Sequence, residues 1–238
     1  MKVSESNEIS FEFLQELGNN TGYTDHIIVF KELFEIYKPK AFLEWGCGYS
    51  SKYFLDHSDC VTSVELISKG MSEEWFFHCK NLLKNYRNWQ PILLIGSNAC
   101  EKAFVYQHSI QKDYALIDPT YFQELYNYTQ ILNAINKYDV AFVDAGVYVR
   151  GDLAEICLLQ KIPIVIIHDA RSLFTHYPSL EIDNSVDSGL YGWFKIKNHE
   201  EYDKLYFDFG QGTMLWINKS LANVFDYLKS KLNMFTIN

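Results

Sequence analysis

The chain has 238 residues, of which 48% are hydrophobic and 16% are aromatic. This content suits one sizeable globular domain with a substantial core. The formal net charge of -9 and the isoelectric point near 5.2 give the molecule a negative field, which repels nucleic acid and anionic lipid. We therefore expect neither nucleic acid nor a membrane surface as a partner.

The start of the sequence and its cysteines indicate the compartment. The stretch MKVSESNEIS lacks the basic and apolar regions of a signal peptide, and the longest apolar runs, such as 162–167, are too short to span a bilayer. An odd number of cysteines with no CxxC pair favours free thiols in a reducing compartment. These cysteines are Cys47, Cys60, Cys79, Cys100 and Cys157. We expect a cytoplasmic protein.

The predicted elements alternate short apolar runs with longer amphipathic stretches. In chain order, the pattern predicts a helix over 25–37, a strand over 41–45, a helix from near Ser50, a strand over 61–65, a helix over 72–87, a strand over 92–96, a helix over 120–136, a strand over 139–145, a helix over 150–160 and a strand over 163–170. Thr24 or Asp25 is placed to cap the first helix, and Pro39 to end it.

The last part of the chain predicts a hairpin, because residues 204–218 show two apolar runs joined by a glycine-bearing turn. Strands that are apolar on both faces and separated by helices favour a parallel sheet covered on both sides. The predicted fold class is α/β, a Rossmann-like doubly wound, mostly parallel sheet with a C-terminal antiparallel hairpin strand. We expect one domain over 1–238, with an N-terminal helical segment (1–38), a Rossmann-like core (39–218) and a C-terminal helix (219–238).

A glycine-bearing turn follows the first predicted strand, in the stretch AFLEWGCGYSS that begins at residue 41. In doubly wound sheets, ligands bind at the carboxyl ends of the strands. Gly46 and Gly48 allow the backbone to approach a ligand closely. Ser50 and Ser51 lie at the start of the next helix, where free N–H groups favour an anionic group. Glu65 ends the second predicted strand, where its carboxylate can accept hydrogen bonds from both hydroxyls of a ribose.

The charge before the turn distinguishes between nucleotide-like ligands. The sequence GCGYSS departs from the dinucleotide pattern GxGxxG, because Ser51 stands at the third glycine position. Glu44 precedes the first glycine, and a carboxylate there would repel a pyrophosphate. An NAD-dependent oxidoreductase is therefore disfavoured, and a ligand that carries positive charge is favoured.

Four short motifs carry a resemblance to a known family. AFLEWGCGYSS followed by VTSVE resembles motif I and the acidic strand end of class I S-adenosylmethionine (SAM)-dependent methyltransferases. More narrowly, LEWGCGYSSKYF, SVE, FVDA and IIHDARSLFTHY are similar to small methyltransferase-like proteins of the "LEWGSGGST" type, over roughly residues 25–180. The resemblance implies SAM as the cofactor, carrying a sulfonium and an ammonium group and no phosphate.

The resemblance also implies roles for individual residues. Gly46 and Gly48 would pass under the methionine portion of SAM, and Glu65 would hold its ribose. Glu44 would lie near the amino group or organise the loop. Asn98, shortly after the third strand, stands where such enzymes place a polar group against the adenine.

Three candidate catalytic residues end the fourth and fifth strands, so they are expected to open onto the same crevice. Methyl transfer from a sulfonium is an in-line displacement, in which positioning supplies much of the acceleration. A hydroxyl acceptor must also lose its proton, and His168 is the side chain best tuned for that at neutral pH. Asp144 and Asp169 could serve as base or orienting group, and Asp144 also borders the cofactor. Alternatively, His168 is a strand-end histidine with a structural role.

Metal-dependent O-methyltransferases hold magnesium with carboxylates at these strand ends, and they resemble this chain at Asp144 and Asp169. Ala170 replaces a further ligand of that family. We assign no metal ligand here, although two carboxylates could still hold a hydrated divalent ion. Arg150 and Arg171 could clamp an anionic acceptor or form surface salt bridges.

The leading hypothesis is a SAM-dependent methyltransferase that acts on a small-molecule or glycan-type acceptor, at oxygen. Transfer to nitrogen stays open, although no Asn-Pro-Pro-Tyr motif follows the fourth strand. The alternative is a non-catalytic methyltransferase-like module that binds SAM, S-adenosylhomocysteine (SAH) or a partner. Residues 178–200 have the composition of a loop that could cover the crevice. Aromatic and histidine side chains on or near the rim of the crevice are candidates for the acceptor pocket: Tyr148, His176, Tyr177, Tyr191 and Trp193.

Overall fold

The computed structural model describes residues 9–67, 69–96, 119–145, 149–170, 196 and 198–237. Its strands are β1 (Ala41–Trp45), β2 (Cys60–Ile67), β3 (Trp89–Ile95), β4 (Val140–Val143), β5 (Ile164–His168), β6 (Tyr202–Phe207), β7 (Thr213–Asn218) and β8 (Phe235–Ile237). Its helices are α1 (Phe11–Thr21), α2 (Ile27–Ile36), α3 (Ser50–His57), α4 (Glu74–Leu82), α5 (Pro119–Asn136), α6 (Arg150–Leu159) and α7 (Ala222–Leu232), the last preceded by a 3-10 turn (Lys219–Leu221).

The strands form one mixed sheet in the order β3-β2-β1-β4-β5-β7-β6-β8. The first five strands in this order, from β3 through β2, β1 and β4 to β5, pair in parallel. The last three, β7, β6 and β8, are antiparallel strands at one edge of the sheet. The strand order reverses direction between β1 and β4, which is where ligands bind in open α/β sheets. The predicted fold class is confirmed.

Both faces of the sheet are buried, as the apolar strands predict. Leu43 and Trp45 of β1 pack on one face in a cluster that includes residues of α5 and α6. Phe42 lies on the other face in a cluster that includes residues of α2, α3, α4 and α7. Side chains alternate between the two faces of a strand, so Glu44 shares its face with Phe42. Its carboxylate therefore lies in the interior, where it requires polar partners.

The sequence predicts a helical segment over 1–38 but a defined helix only over 25–37, so α1 was not predicted as a separate helix. Ser10 caps its start, with its side chain accepting a hydrogen bond from Phe13 N at 3.2 Å. Gly22 ends it in the left-handed conformation, with φ of 77°. A serine before and a glycine after an apolar-periodic stretch are helix signals, so the sequence did contain the information.

The start of α2 differs from the prediction that Thr24 or Asp25 caps it. The helix begins at Ile27 and has no side-chain cap. The Thr24 hydroxyl donates to the carbonyl oxygen of Leu14, and the Asp25 carboxylate bonds His168 and the backbone N–H of Gln211. Both side chains therefore hold tertiary contacts. The helix ends at Ile36, three residues before Pro39.

The C-terminal segment 219–238 is not one helix. α7 ends at Leu232, and Asn233 adopts the left-handed conformation with φ of 49°, which stops a helix. The chain then forms β8, which pairs antiparallel with β6. This strand covers an edge of β6 that would otherwise present unpaired backbone groups.

Four of the five cysteines lie in the described chain, and all four are free thiols: Cys47, Cys60, Cys79 and Cys157. Cys100 lies outside the described residues. Among the helices described, none combines the length and the apolar character that crossing a membrane requires.

Candidate active site

A cavity of about 740 Å³ opens at the carboxyl ends of β1, β2 and β4. One wall comes from α1, and another from the turn between β1 and α3. Four acidic residues line it, namely Glu16, Glu44, Glu65 and Asp144, and no lysine or arginine of the described chain does. The cavity therefore favours a ligand with positive charge.

Gly46 brings the turn after β1 against the end of β4. Its φ is 93°, and an added Cβ would lie 2.5 Å from the carbonyl oxygen of Asp144. Its N–H donates to the carbonyl oxygen of Val64 at 2.8 Å. Glycine is required here both for the left-handed backbone and for the close approach of the two strand ends.

Glu44 braces the turn from below. The side chain is buried, and its carboxylate accepts hydrogen bonds from the hydroxyls of Ser51, at 2.8 and 2.9 Å, and Ser63. The Ser51 oxygen in turn accepts from the N–H of Gly48 at 2.9 Å. Burial raises the pKa of Glu44 to about 8, although the two serines act in the opposite direction. These contacts favour the loop-organising role of Glu44 over direct contact with an amino group.

Glu65 ties the second strand to the same turn. Its Oε2 accepts a hydrogen bond from Cys47 N at 3.0 Å, and the side chain is half-buried at the cavity wall. Burial raises the pKa of Glu65, partly offset by the donors of Cys47. A carboxylate held in this way is oriented in advance for a ribose hydroxyl.

Ser50 lines the cavity, but its hydroxyl lies 2.9 Å from Nε2 of His26. His26 is buried, and burial lowers the pKa of its imidazole well below the usual range. A neutral His26 therefore fixes the start of α3 from the side of α2. Its Nδ1 has no hydrogen-bond partner among the described residues.

His168 is enclosed by carboxylates. Its Nε2 bonds Asp25, and its Nδ1 lies 3.4 Å from Asp144 Oδ1 and 3.5 Å from Asp169 Oδ1. Burial alone would lower the pKa of His168, but the surrounding carboxylates outweigh it and raise the pKa to about 10. The imidazole is therefore a cation at neutral pH, which agrees with the structural alternative for this residue and disfavours its role as a general base.

Arg150, the first residue of α6, bridges the ends of β4 and β5. Its Nη2 lies 3.0 Å from Asp144 Oδ1, and its Nη1 bonds Asp169 Oδ2. Burial opposes the charge of Asp144, but His168 and Arg150 lower its pKa to about 2. Asp144 lines the cavity, whereas neither His168 nor Asp169 is among the lining residues.

The carboxylates of Asp144 and Asp169, with His168, lie close enough together to hold a metal ion. The residues present do not fit one, because Arg150 already places a cationic guanidinium between the two carboxylates. Ala170 offers no further ligand.

Aromatic residues of the cavity wall were missed by sequence reasoning. The ring of Tyr49 lies 5.6 Å from that of Trp75 and 6.1 Å from that of Phe13. The indole N–H of Trp75 donates to the carbonyl oxygen of Cys47 at 2.7 Å. Aromatic rings suit a flat adenine or a cation, but with 17 Tyr and 17 Phe in the chain nothing in the sequence distinguishes wall from core.

Several predicted site residues lie outside the described residues, so their positions are not assigned. They are Asn98, Tyr148, Arg171, His176, Tyr177, Tyr191 and Trp193, together with most of the predicted covering loop over 178–200.

Solved structures share this fold. A provisionally assigned caffeoyl-CoA O-methyltransferase from Staphylococcus aureus is 21% identical, with a TM-score of 0.53 over 89% of this chain and 93% of that one. An O-methyltransferase from Bacillus cereus in complex with SAH is 14% identical, with a TM-score of 0.53 over 91% and 94%. The SAH-bound methyltransferase PaMTH1 from Podospora anserina is 14% identical, with a TM-score of 0.51 over 88% and 86%.

The chain therefore has the fold of class I SAM-dependent methyltransferases. At these identities the likeness establishes the fold, and function has to be argued from the site. No protein-family model matches the chain, and no curated protein matches its sequence. The narrower resemblance to proteins of the "LEWGSGGST" type stays a prediction.

Proposed function

We propose that the chain binds SAM in the cavity and transfers its methyl group to a small-molecule or glycan-type acceptor, at oxygen. The observation that carries the proposal is the pair of strand-end carboxylates, Glu44 and Glu65, that frame the turn through Gly46 in a cavity lined by acidic side chains. Two of the similar structures are bound to SAH, which supports the choice of cofactor. One is named a methyltransferase and the other an O-methyltransferase, which supports methyl transfer as the reaction.

In the proposed complex, Glu65 accepts hydrogen bonds from the ribose hydroxyls of SAM. The backbone from Gly46 to Gly48 lies under the methionine portion of SAM. SAM supplies an electrophilic methyl group on its sulfonium. The acceptor oxygen forms a bond to this methyl carbon as the bond to sulfur breaks, which leaves SAH, the methylated acceptor and a proton.

Of the three candidate catalytic residues, Asp144 is the one that lines the cavity, so we assign it to the acceptor hydroxyl. With its pKa lowered to about 2, it stays ionised and accepts a hydrogen bond that aims the oxygen at the methyl group. It is a weak base at this pKa, and the proton is therefore released to solvent after transfer. Positioning supplies the rate enhancement in this scheme.

The cofactor assignment is tested by the melting temperature of the protein with SAM, SAH and NAD, because a ligand that binds the native state raises it by mass action. We expect SAM and SAH to stabilise and NAD to have no effect. Stabilisation by NAD alone would contradict the proposal.

The reaction is tested by SAH release with panels of hydroxyl and amine acceptors, using Asp144→Asn as the comparison. We expect hydroxyl acceptors to release SAH and the variant to lose turnover while keeping SAH affinity. Because His168 is held on both ring nitrogens and has no free position for a proton, a non-catalytic SAM-binding module is the second candidate. Tight SAM binding without turnover on any acceptor would favour it.

A further inference from the structure

We infer that Arg150 serves as a built-in cation between Asp144 and Asp169, so that the carboxylate pair at the ends of β4 and β5 functions without a divalent metal and excludes one. The inference rests on the proposed function only for its consequence in methyl transfer, namely that Asp144 is oriented by a guanidinium. The exclusion of the metal is a property of the site itself.

The guanidinium is fully used by groups at these strand ends. Nε donates to the carbonyl oxygen of Ala145 at 3.1 Å, and Nη2 donates to the same oxygen at 3.0 Å. Nη2 also forms an ion pair with Asp144, 3.0 Å from its Oδ1. Nη1 lies 3.3 Å from the carbonyl oxygen of His168 and bonds Asp169. A planar fork with fixed donors recognises two carboxylates and two carbonyls at once, which a spherical ion of similar position would do only with additional water.

The charges of the cluster are nearly balanced without a metal. The carboxylates of Asp25, Asp144 and Asp169 face the guanidinium of Arg150 and the imidazolium of His168. Among the described residues, three negative charges against two positive ones leave a single net negative charge. A divalent ion would have to displace the guanidinium, since two cations that share these oxygens repel each other at so short a distance.

The position of Arg150 makes the arrangement part of the fold. It begins α6, its side chain is 5% exposed, and it contacts residues that follow both β4 and β5. It acts as a positioning residue, because it holds the carboxylate of Asp144 at the cavity wall and does not itself line the cavity. A metal-independent enzyme of this design keeps that geometry in the presence of chelators.

The test is Mn²⁺ binding, followed by electron paramagnetic resonance and by thermal shift, on wild type and on Arg150→Ala. We expect no saturable binding to the wild type. We expect Arg150→Ala to gain a site at least about tenfold tighter than any in the wild type, because the repelling charge is removed. Arg150→Lys should restore exclusion, and Arg87→Ala, which removes an exposed arginine elsewhere, should behave as wild type.

If Arg150→Ala does not fold, the Mn²⁺ titration of the wild type tests the inference by itself. A wild-type Mn²⁺ site that is lost in Asp169→Asn would overturn the inference, and so would a folded Arg150→Ala that gains no site. These titrations contain no SAM. They are therefore independent of the proposed function, whose failure would appear as the absence of SAM and SAH binding.

Discussion

Asp25, in the turn before α2, bonds Nε2 of His168 at the end of β5, although 143 residues separate them in the sequence. The other carboxylate oxygen of Asp25 accepts from the backbone N–H of Gln211, in the turn between β6 and β7. One buried carboxylate thus joins the N-terminal segment, the fifth strand and the hairpin. Because α1 precedes this turn directly, the same contact sets the wall of the cavity.

Replacing Asp25 by Asn should destabilise the protein strongly. The imidazolium of His168 would remain buried with one of its negative partners removed, which typically costs about 3–5 kcal/mol in free energy of unfolding. Urea denaturation at pH 7 measures the change. Asp59→Asn is the matched control, since Asp59 forms an exposed pair with Lys38 at 2.8 Å and should change stability by less than about 1 kcal/mol. Equal effects of the two substitutions would refute the role of Asp25.

The stability of the protein should depend on pH through His168. Its pKa is about 10 in the folded protein against 6.5 unfolded, so the native state holds the proton more tightly. The stabilisation is therefore complete below pH 6.5 and is lost as the pH rises towards 10. Urea denaturation across this range should show the free energy of unfolding of the wild type falling more steeply than that of His168→Gln. Parallel curves would show that His168 is not held as a cation.

The two glycines of the turn should respond differently to alanine. Gly46→Ala forces a side chain into φ of 93° and against the backbone of Asp144, and it should cost about 1–3 kcal/mol in stability. Gly48→Ala meets nothing closer than Trp75 at 4.0 Å, so stability should hardly change. SAM affinity should still fall, because the added methyl group enters the cavity. Calorimetry and denaturation on both variants separate the effects, and unchanged SAM affinity in Gly48→Ala would exclude this loop as the contact.

Glu44 should make SAM binding depend on pH. Its pKa near 8 means that it is mostly protonated in the empty site at pH 7, and the positive charge of SAM favours its ionised form. The affinity for SAM should rise between pH 6.5 and 8.5 by up to about tenfold per pH unit. SAH, which lacks the sulfonium, is the matched ligand and should show a weaker dependence. In Glu44→Gln, the affinities for SAM and SAH should depend on pH to the same extent. If SAM affinity still depends more strongly on pH than SAH affinity, a group other than Glu44 causes the effect.

The turn and its carboxylates were predictable because their information is local. Glu44 and Glu65 lie near the carboxyl ends of β1 and β2, and Gly46 directly follows β1. Both strands are recognisable by their apolar runs, and strand ends of a parallel sheet meet at one edge. The same rule placed Asp144 at the cavity. The alternation of strands and helices predicted a mostly parallel sheet, but it did not predict the order of its strands.

The partners of these residues were not predictable, because they depend on packing between distant segments. Asp25 has the short acceptor side chain of a helix cap, and only the folded chain shows that it contacts His168. The imidazole was taken as a possible proton acceptor from its ordinary pKa, but three carboxylates around it change that value. The two carboxylate partners of Arg150 were likewise recognisable only in the folded chain, since Asp144 precedes its helix and Asp169 follows the next strand, β5.

The most direct test of the account is calorimetric titration of SAM and SAH into wild type, Glu65→Gln and Glu74→Gln. Glu74 is exposed on α4 and outside the cavity lining, so it controls for the loss of one negative charge. We expect saturable binding of both ligands to wild type and to Glu74→Gln. We expect binding weakened at least about tenfold in Glu65→Gln, because this variant loses charge-assisted hydrogen bonds to the ribose. A wild type that binds neither ligand, or a Glu65→Gln variant that binds both as tightly as wild type, would contradict it.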